Sequence, residues 1–135
     1  MLETFALVLQ LAAPAELIHD PAVLDFCRVL ARNSMADRYR EHGAFVVRTP
    51  QGLLYFVAWP PSDERHILRW HGRFPSGTVA ILHTHESWTP AASKLDMKTA
   101  RAAGVPVYVI TPQQISKTTG GEAVVVMDGD WMTPR

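Results

Sequence analysis

The chain has 135 residues, and 47% of them are apolar, enough to bury the core of one globular unit. Thirteen Lys and Arg balance thirteen Asp and Glu with no run of like charge, so nothing in the chain addresses nucleic acid or an anionic membrane. The one cysteine, Cys27, excludes an internal disulfide and any zinc site built from paired cysteines, and its apolar helical surroundings mark it as a core residue.

The first stretch, "FALVLQLAAPA", has the length of a signal peptide and ends in a small-x-small pattern at Ala13 and Ala15. Glu3 precedes it, however, and no Lys or Arg appears before Arg28. An ordinary N-terminal helix or strand is therefore expected over residues 1–20, with a cytoplasmic location and export as the alternative. The domain proper is set at residues 21–135. No stretch is long enough in apolar residues to span a membrane.

Asp20 followed by Pro21 reads as a helix start, and Val23, Leu24, Cys27, Leu30 and Ala31 recur at helical spacing to about Asn33. "AFVV" (44–47) and "LLYFVAW" (53–59) flank the turn "TPQG" and predict a hairpin. Residues 60–77 are mixed, polar and bounded by Pro and Gly, which reads as an irregular connection at one edge that could border a substrate groove. "TVAILHTH" (78–85) is a buried strand with a polar end; a helix follows from Ser93 to Ala103, stopped by Gly104 and Pro106. "PVYVIT" (106–111) is another strand, and "QISKTT" and "EAVVVM" bracket Gly120 and Gly121 as a second hairpin. The fold class is α/β, a mostly antiparallel sheet with flanking helices.

Chemistry concentrates in residues 83–96, "HTHESWTPAASKLD". On a strand, His83 and His85 project from one face about 7 Å apart along the backbone, while Thr84 points the other way. After seven intervening residues comes Ser93, and three after it Asp96, one turn into the helix near the same sheet end. Two imidazoles and a carboxylate form a three-ligand set that leaves a tetrahedral zinc one position for water. The plainer alternative for Ser93 and Asp96 is a helix cap, the serine oxygen accepting a backbone N–H and the aspartate favoured by the helix dipole. The four tryptophans, Trp59, Trp70, Trp88 and Trp131, read first as packing.

The pattern H-x-H, seven residues, S-x-x-D resembles the signature of the JAMM, or JAB/MPN-type, zinc metallopeptidases, with His83, His85, Ser93 and Asp96 on motif positions. "REHGAFVV" supplies Glu41 where that family carries an upstream glutamate, and "AGVPVYVITPQQI" is similar to the small bacterial members. Family members often place the glutamate three residues before the glycine; here the interval is two, and one step along a strand reverses the face. Many also have proline where this chain has Glu86. Glu64 and Glu16 are weaker substitutes for Glu41, which in the plainer reading is a solvent-exposed charge.

The resemblance implies a JAB/MPN-like, cytidine-deaminase-like sandwich and a zinc-dependent hydrolase. It implies that His83, His85 and Asp96 hold Zn2+, that Glu41 acts as general acid and base, and that Ser93 donates to the oxyanion. The implied substrate is a protein or peptide, such as a ubiquitin-like or sulfur-carrier protein, cut at a peptide or isopeptide bond. The alternatives are a non-catalytic JAB/MPN-like interaction domain, a zinc deaminase, which would need the paired cysteines this chain lacks, and a DNA-associated relative, which the neutral charge disfavours.

Overall fold

A computed structural model describes residues 16–38, 40–60, 73–85 and 91–134. The apolar stretch up to Ala15, most of the connection at 60–77, the loop at 86–90, and with them Glu64, Trp70, Glu86 and Trp88, lie outside the described residues.

A short 3-10 turn, Leu17–His19, leads into helix α1, Pro21–Ala36. The Asp20 carboxylate accepts from the backbone N–H groups of Ala22 and Val23, satisfying donors that the first helical turn leaves open, and Pro21 has no N–H to satisfy. Val23, Cys27, Leu30, Ala31 and Ser34 make the buried stripe. The helix runs three residues past the expected end at Asn33. Ser34 can continue the buried face because its hydroxyl donates to the carbonyl of Arg40 at 2.7 Å, which removes the cost of burying it.

Strands β1 (Gly43–Arg48) and β2 (Leu54–Ala58) form the expected hairpin, and the turn between them uses Gly52 at φ +85°. Strand β3 (Thr78–Thr84) pairs antiparallel with β1, with Gly43 opposite His83. Helix α2 (Lys94–Ala103) then crosses to β4 (Val107–Ile110), which lies parallel to β3. β5 (Ile115–Thr118) and β6 (Val124–Met127) complete the sheet in the order β2-β1-β3-β4-β5-β6. The α/β class holds, with a mixed sheet: β3 and β4 are parallel, and the other pairings are antiparallel.

Alternation along the strands gives the sheet two apolar faces. Ala44, Val46, Ala80, Leu82, Tyr108 and Ile110 pack with Ile18 and the α1 stripe. Phe45, Val47, Ile81, Val107 and Val109 pack with Ala92 and Ala100 on the α2 side. Cys27 is fully buried in the α1-side core, where burial pushes its thiol far above the ordinary range and away from nucleophilic chemistry. Trp131 packs in the same core with its indole N–H on the Thr111 carbonyl. Ile18 is fully buried, so the packed body includes residues of the segment set apart as 1–20. Among the described residues no helix is long and apolar enough to cross a membrane.

Candidate metal centre

The strand and the helix deliver their side chains to one place. His83 is the penultimate residue of β3, and His85 is the first residue past its end, its N–H bound to the Ile110 carbonyl of the parallel neighbour at 3.0 Å. Their rings lie 4.8 Å apart between centroids and nearly perpendicular, at 79°. Asp96 arrives in the first turn of α2, on the face that α2 turns to the sheet. One ligand atom from each of His83, His85 and Asp96 falls within 4.8 Å of the others, and the three side chains are only 11%, 10% and 8% exposed.

Ser93 is the N-cap of α2. Its hydroxyl accepts from the Asp96 N–H at 3.2 Å, and its own backbone N–H donates to Asp96 Oδ2 at 2.7 Å, a reciprocal capping box. Ser93 Oγ also donates to Asp96 Oδ2 at 2.9 Å. The plainer reading of these two residues is thus realised, and it serves the site: the cap orients the carboxylate, with Oδ2 held by Ser93 and Oδ1 directed to His83. The arrangement is that of a ligand steered by a neighbouring donor.

His83 Nε2 comes within 2.6 Å of Asp96 Oδ1, and His85 Nε2 within 3.3 Å of Oδ2. Despite that approach, His83 Nε2 is buried without a hydrogen-bond partner among the described residues. A buried ring nitrogen seldom goes unsatisfied. A cation reconciles these facts, because lone pairs that converge on an ion do not point at each other. Tetrahedral zinc at roughly 2.0–2.1 Å from each ligand keeps its ligand atoms about 3.3 Å apart; the His85–Asp96 separation equals this, and the His83–Asp96 separation is shorter. Burial on its own would raise the Asp96 carboxyl, but the two imidazoles and the Ser93 N–H outweigh it and hold the group far below the usual carboxylate range.

Glu41 lies just before β1 and is half-buried. Thr84 N–H donates to the His42 carbonyl at 2.8 Å, so the β1–β3 register continues one step past Gly43 and His83. Glu41 itself lies two residues ahead of β1, whose pairing with β3 begins at Gly43 and His83. Glu16 sits on the other face, bonded to the Tyr108 hydroxyl and to Lys117 Nζ, which removes it as a substitute. His42 turns away and meets Asp37 Oδ2 at 3.0 Å. Sequence reading assigns Thr84 no role; a hydroxyl at the last position of a strand was the one available signal.

Fold and site together define an α/β chain with a buried His83–His85–Asp96 group that can hold a metal ion. No protein-family model, no curated protein and no solved structure matches the chain.

Proposed function

We propose that the chain is a zinc-dependent hydrolase of the JAMM kind, with a JAB/MPN-like sandwich fold, that cleaves a peptide or isopeptide bond. The observation that carries this reading is the convergence of three buried ligand atoms at the end of the sheet, with His83 Nε2 lacking a hydrogen-bond partner among the described residues. His83, His85 and Asp96 would hold the ion, and the ion would supply Lewis acidity and a water made nucleophilic near neutral pH.

The chain's own groups handle the protons. Glu41 takes one proton from the attacking water as its oxygen bonds to the carbonyl carbon, and delivers that proton to the amine nitrogen as the C–N bond breaks. Ser93, exchanging its bond to Asp96, donates its hydroxyl to the oxyanion of the tetrahedral intermediate. The products are a carboxylate and an amine. The substrate class implied is a protein or peptide tail, as in a ubiquitin-like or sulfur-carrier protein.

Metal content of the purified protein tests the first step. The unaltered chain is expected to hold one zinc and the His83→Ala, His85→Ala double variant none; equal zinc in both would end the enzyme reading. Glu41→Gln is expected to keep zinc and to lose cleavage of a fluorogenic isopeptide probe by a factor of about 100 or more. An unaltered rate in that variant would show the base to be another residue.

A further inference from the structure

The backbone on either side of Glu41 is pinned by side-chain and backbone hydrogen bonds. Upstream, the Arg40 carbonyl accepts the buried Ser34 hydroxyl at 2.7 Å, and the Arg40 N–H donates to the Asp37 carbonyl at 3.1 Å. Downstream, the His42 ring is held by Asp37, and both backbone groups of His42 are held by Thr84.

The Thr84 tie departs from an ordinary ladder. Facing residues of a hydrogen-bonded antiparallel pair exchange N–H···O=C bonds in both directions. Here Thr84 N–H reaches the His42 carbonyl at 2.8 Å as usual, but the His42 N–H goes to the Thr84 hydroxyl, also at 2.8 Å. A side chain has replaced one backbone acceptor at the last rung. Thr84 is 1% exposed and projects from the α1 face, opposite to His83 and His85. Its hydroxyl therefore meets the chain as it comes off α1 and holds residue 42 at the edge of β3. With His42 facing α1 and clamped, strand alternation continued back by one residue would turn Glu41 toward the α2 face, where His83, His85 and Asp96 lie.

We propose that Thr84 is a positioning residue for Glu41: its hydroxyl fixes the register and facing of the residue that handles the proton, while its two neighbours in sequence, His83 and His85, bind the metal on the other side of the strand. One three-residue stretch would thus set both the ion and the base. The inference rests on the metallohydrolase reading above, and its test separates the two.

The test follows the Glu41 carboxyl carbon and the histidine rings by NMR in 13C-labelled full-length protein as zinc is added, with Glu41→Gln to assign the signal. In the unaltered chain, zinc is expected to shift the His83 and His85 rings and the Glu41 carboxyl together. In Thr84→Val, which keeps shape and loses only the hydroxyl, the ring shifts are expected to persist and the Glu41 shift to vanish; Thr84→Ser is expected to restore it. Thr84→Ala serves as the hydroxyl-free variant should valine not fold. With the isopeptide probe, Thr84→Val is expected to lower kcat roughly ten- to a hundredfold at unchanged KM. A Glu41 response to zinc that survives loss of the Thr84 hydroxyl overturns the positioning role and leaves the metallohydrolase reading intact. A Glu41 carboxyl unmoved by zinc while both rings shift overturns the role through its target. Rings that ignore zinc in the unaltered chain overturn the metal reading, and the positioning role with it.

Discussion

At the scale of single residues, a few side chains have work that a substitution can isolate. Ser93 caps α2 and holds the Asp96 carboxylate through its N–H and its hydroxyl. Ser93→Ala keeps the N–H contact and loses the hydroxyl, so urea unfolding is expected to show a loss of about 1 kcal/mol, the usual worth of a cap. Zinc affinity is expected to fall as well, because the carboxylate is less well aimed. Glu16 offers a test by pH. Burial works to raise its carboxyl, but Lys117 and Tyr108 outweigh that and hold it below its ordinary value. A carboxyl whose folded value lies below its unfolded one stabilises the fold above the unfolded value, and that contribution is lost as pH falls through the folded one. Stability is therefore expected to drop by about 1 kcal/mol on acidification from neutral pH through the carboxylate range, and Glu16→Gln to remove that part of the slope. Unfolding midpoints taken from pH 7 to pH 3 in both proteins check it. A variant as steep as the unaltered chain would show the Glu16 contacts to be without weight.

At the scale of elements, the site depends on how β1, β3 and α2 meet. The register between β1 and β3 shifts at Val46 and Val47, and beyond the shift Arg48 N–H bonds the Gly77 carbonyl at 2.9 Å. Gly77 has φ +85°, and a Cβ there would strike the Arg48 carbonyl oxygen. Only glycine meets both conditions without strain. Gly77→Ala is expected to cost about 1–3 kcal/mol in denaturant unfolding, since backbone at the foot of β3 must move. The turn lies at the end of β3 opposite to the ligands, so zinc stoichiometry in the variant is expected to remain one. Helix α2 was legible almost to the residue. Ser93 and Gly104 carry their own local reasons for starting and stopping a helix, a side-chain acceptor at one end and a left-handed φ of 70° at the other. The end of α1 was less legible, because Ser34 joins the buried face only by reaching the Arg40 carbonyl, a bond that no helical periodicity announces.

At the scale of the whole molecule, binding of an ion to the folded state and not to the unfolded one adds RT ln(1 + [L]/Kd) to stability. With free zinc at about 100 times Kd, the gain is expected to be about 2.7 kcal/mol, read as a rise in Tm by scanning calorimetry, and to be absent from the His83→Ala, His85→Ala variant. Equal rises in both would mean that zinc binds elsewhere. Period and punctuation in the sequence determined the order of helices and strands, the two hairpins, and the pairing of His83 with His85, because alternation and caps act over a few residues and depend on little else. What only the tertiary structure decided is how distant segments meet. The parallel partnership of β3 with β4, the removal of Glu16 to the α1 face, and the His42–Thr84 bonds that extend the β1–β3 pairing depend on contacts between residues far apart in sequence. Strand pairing fixes which face a side chain takes only after a partner has set the register, and the partners that set it here, such as Gly43 and His83, are distant along the chain.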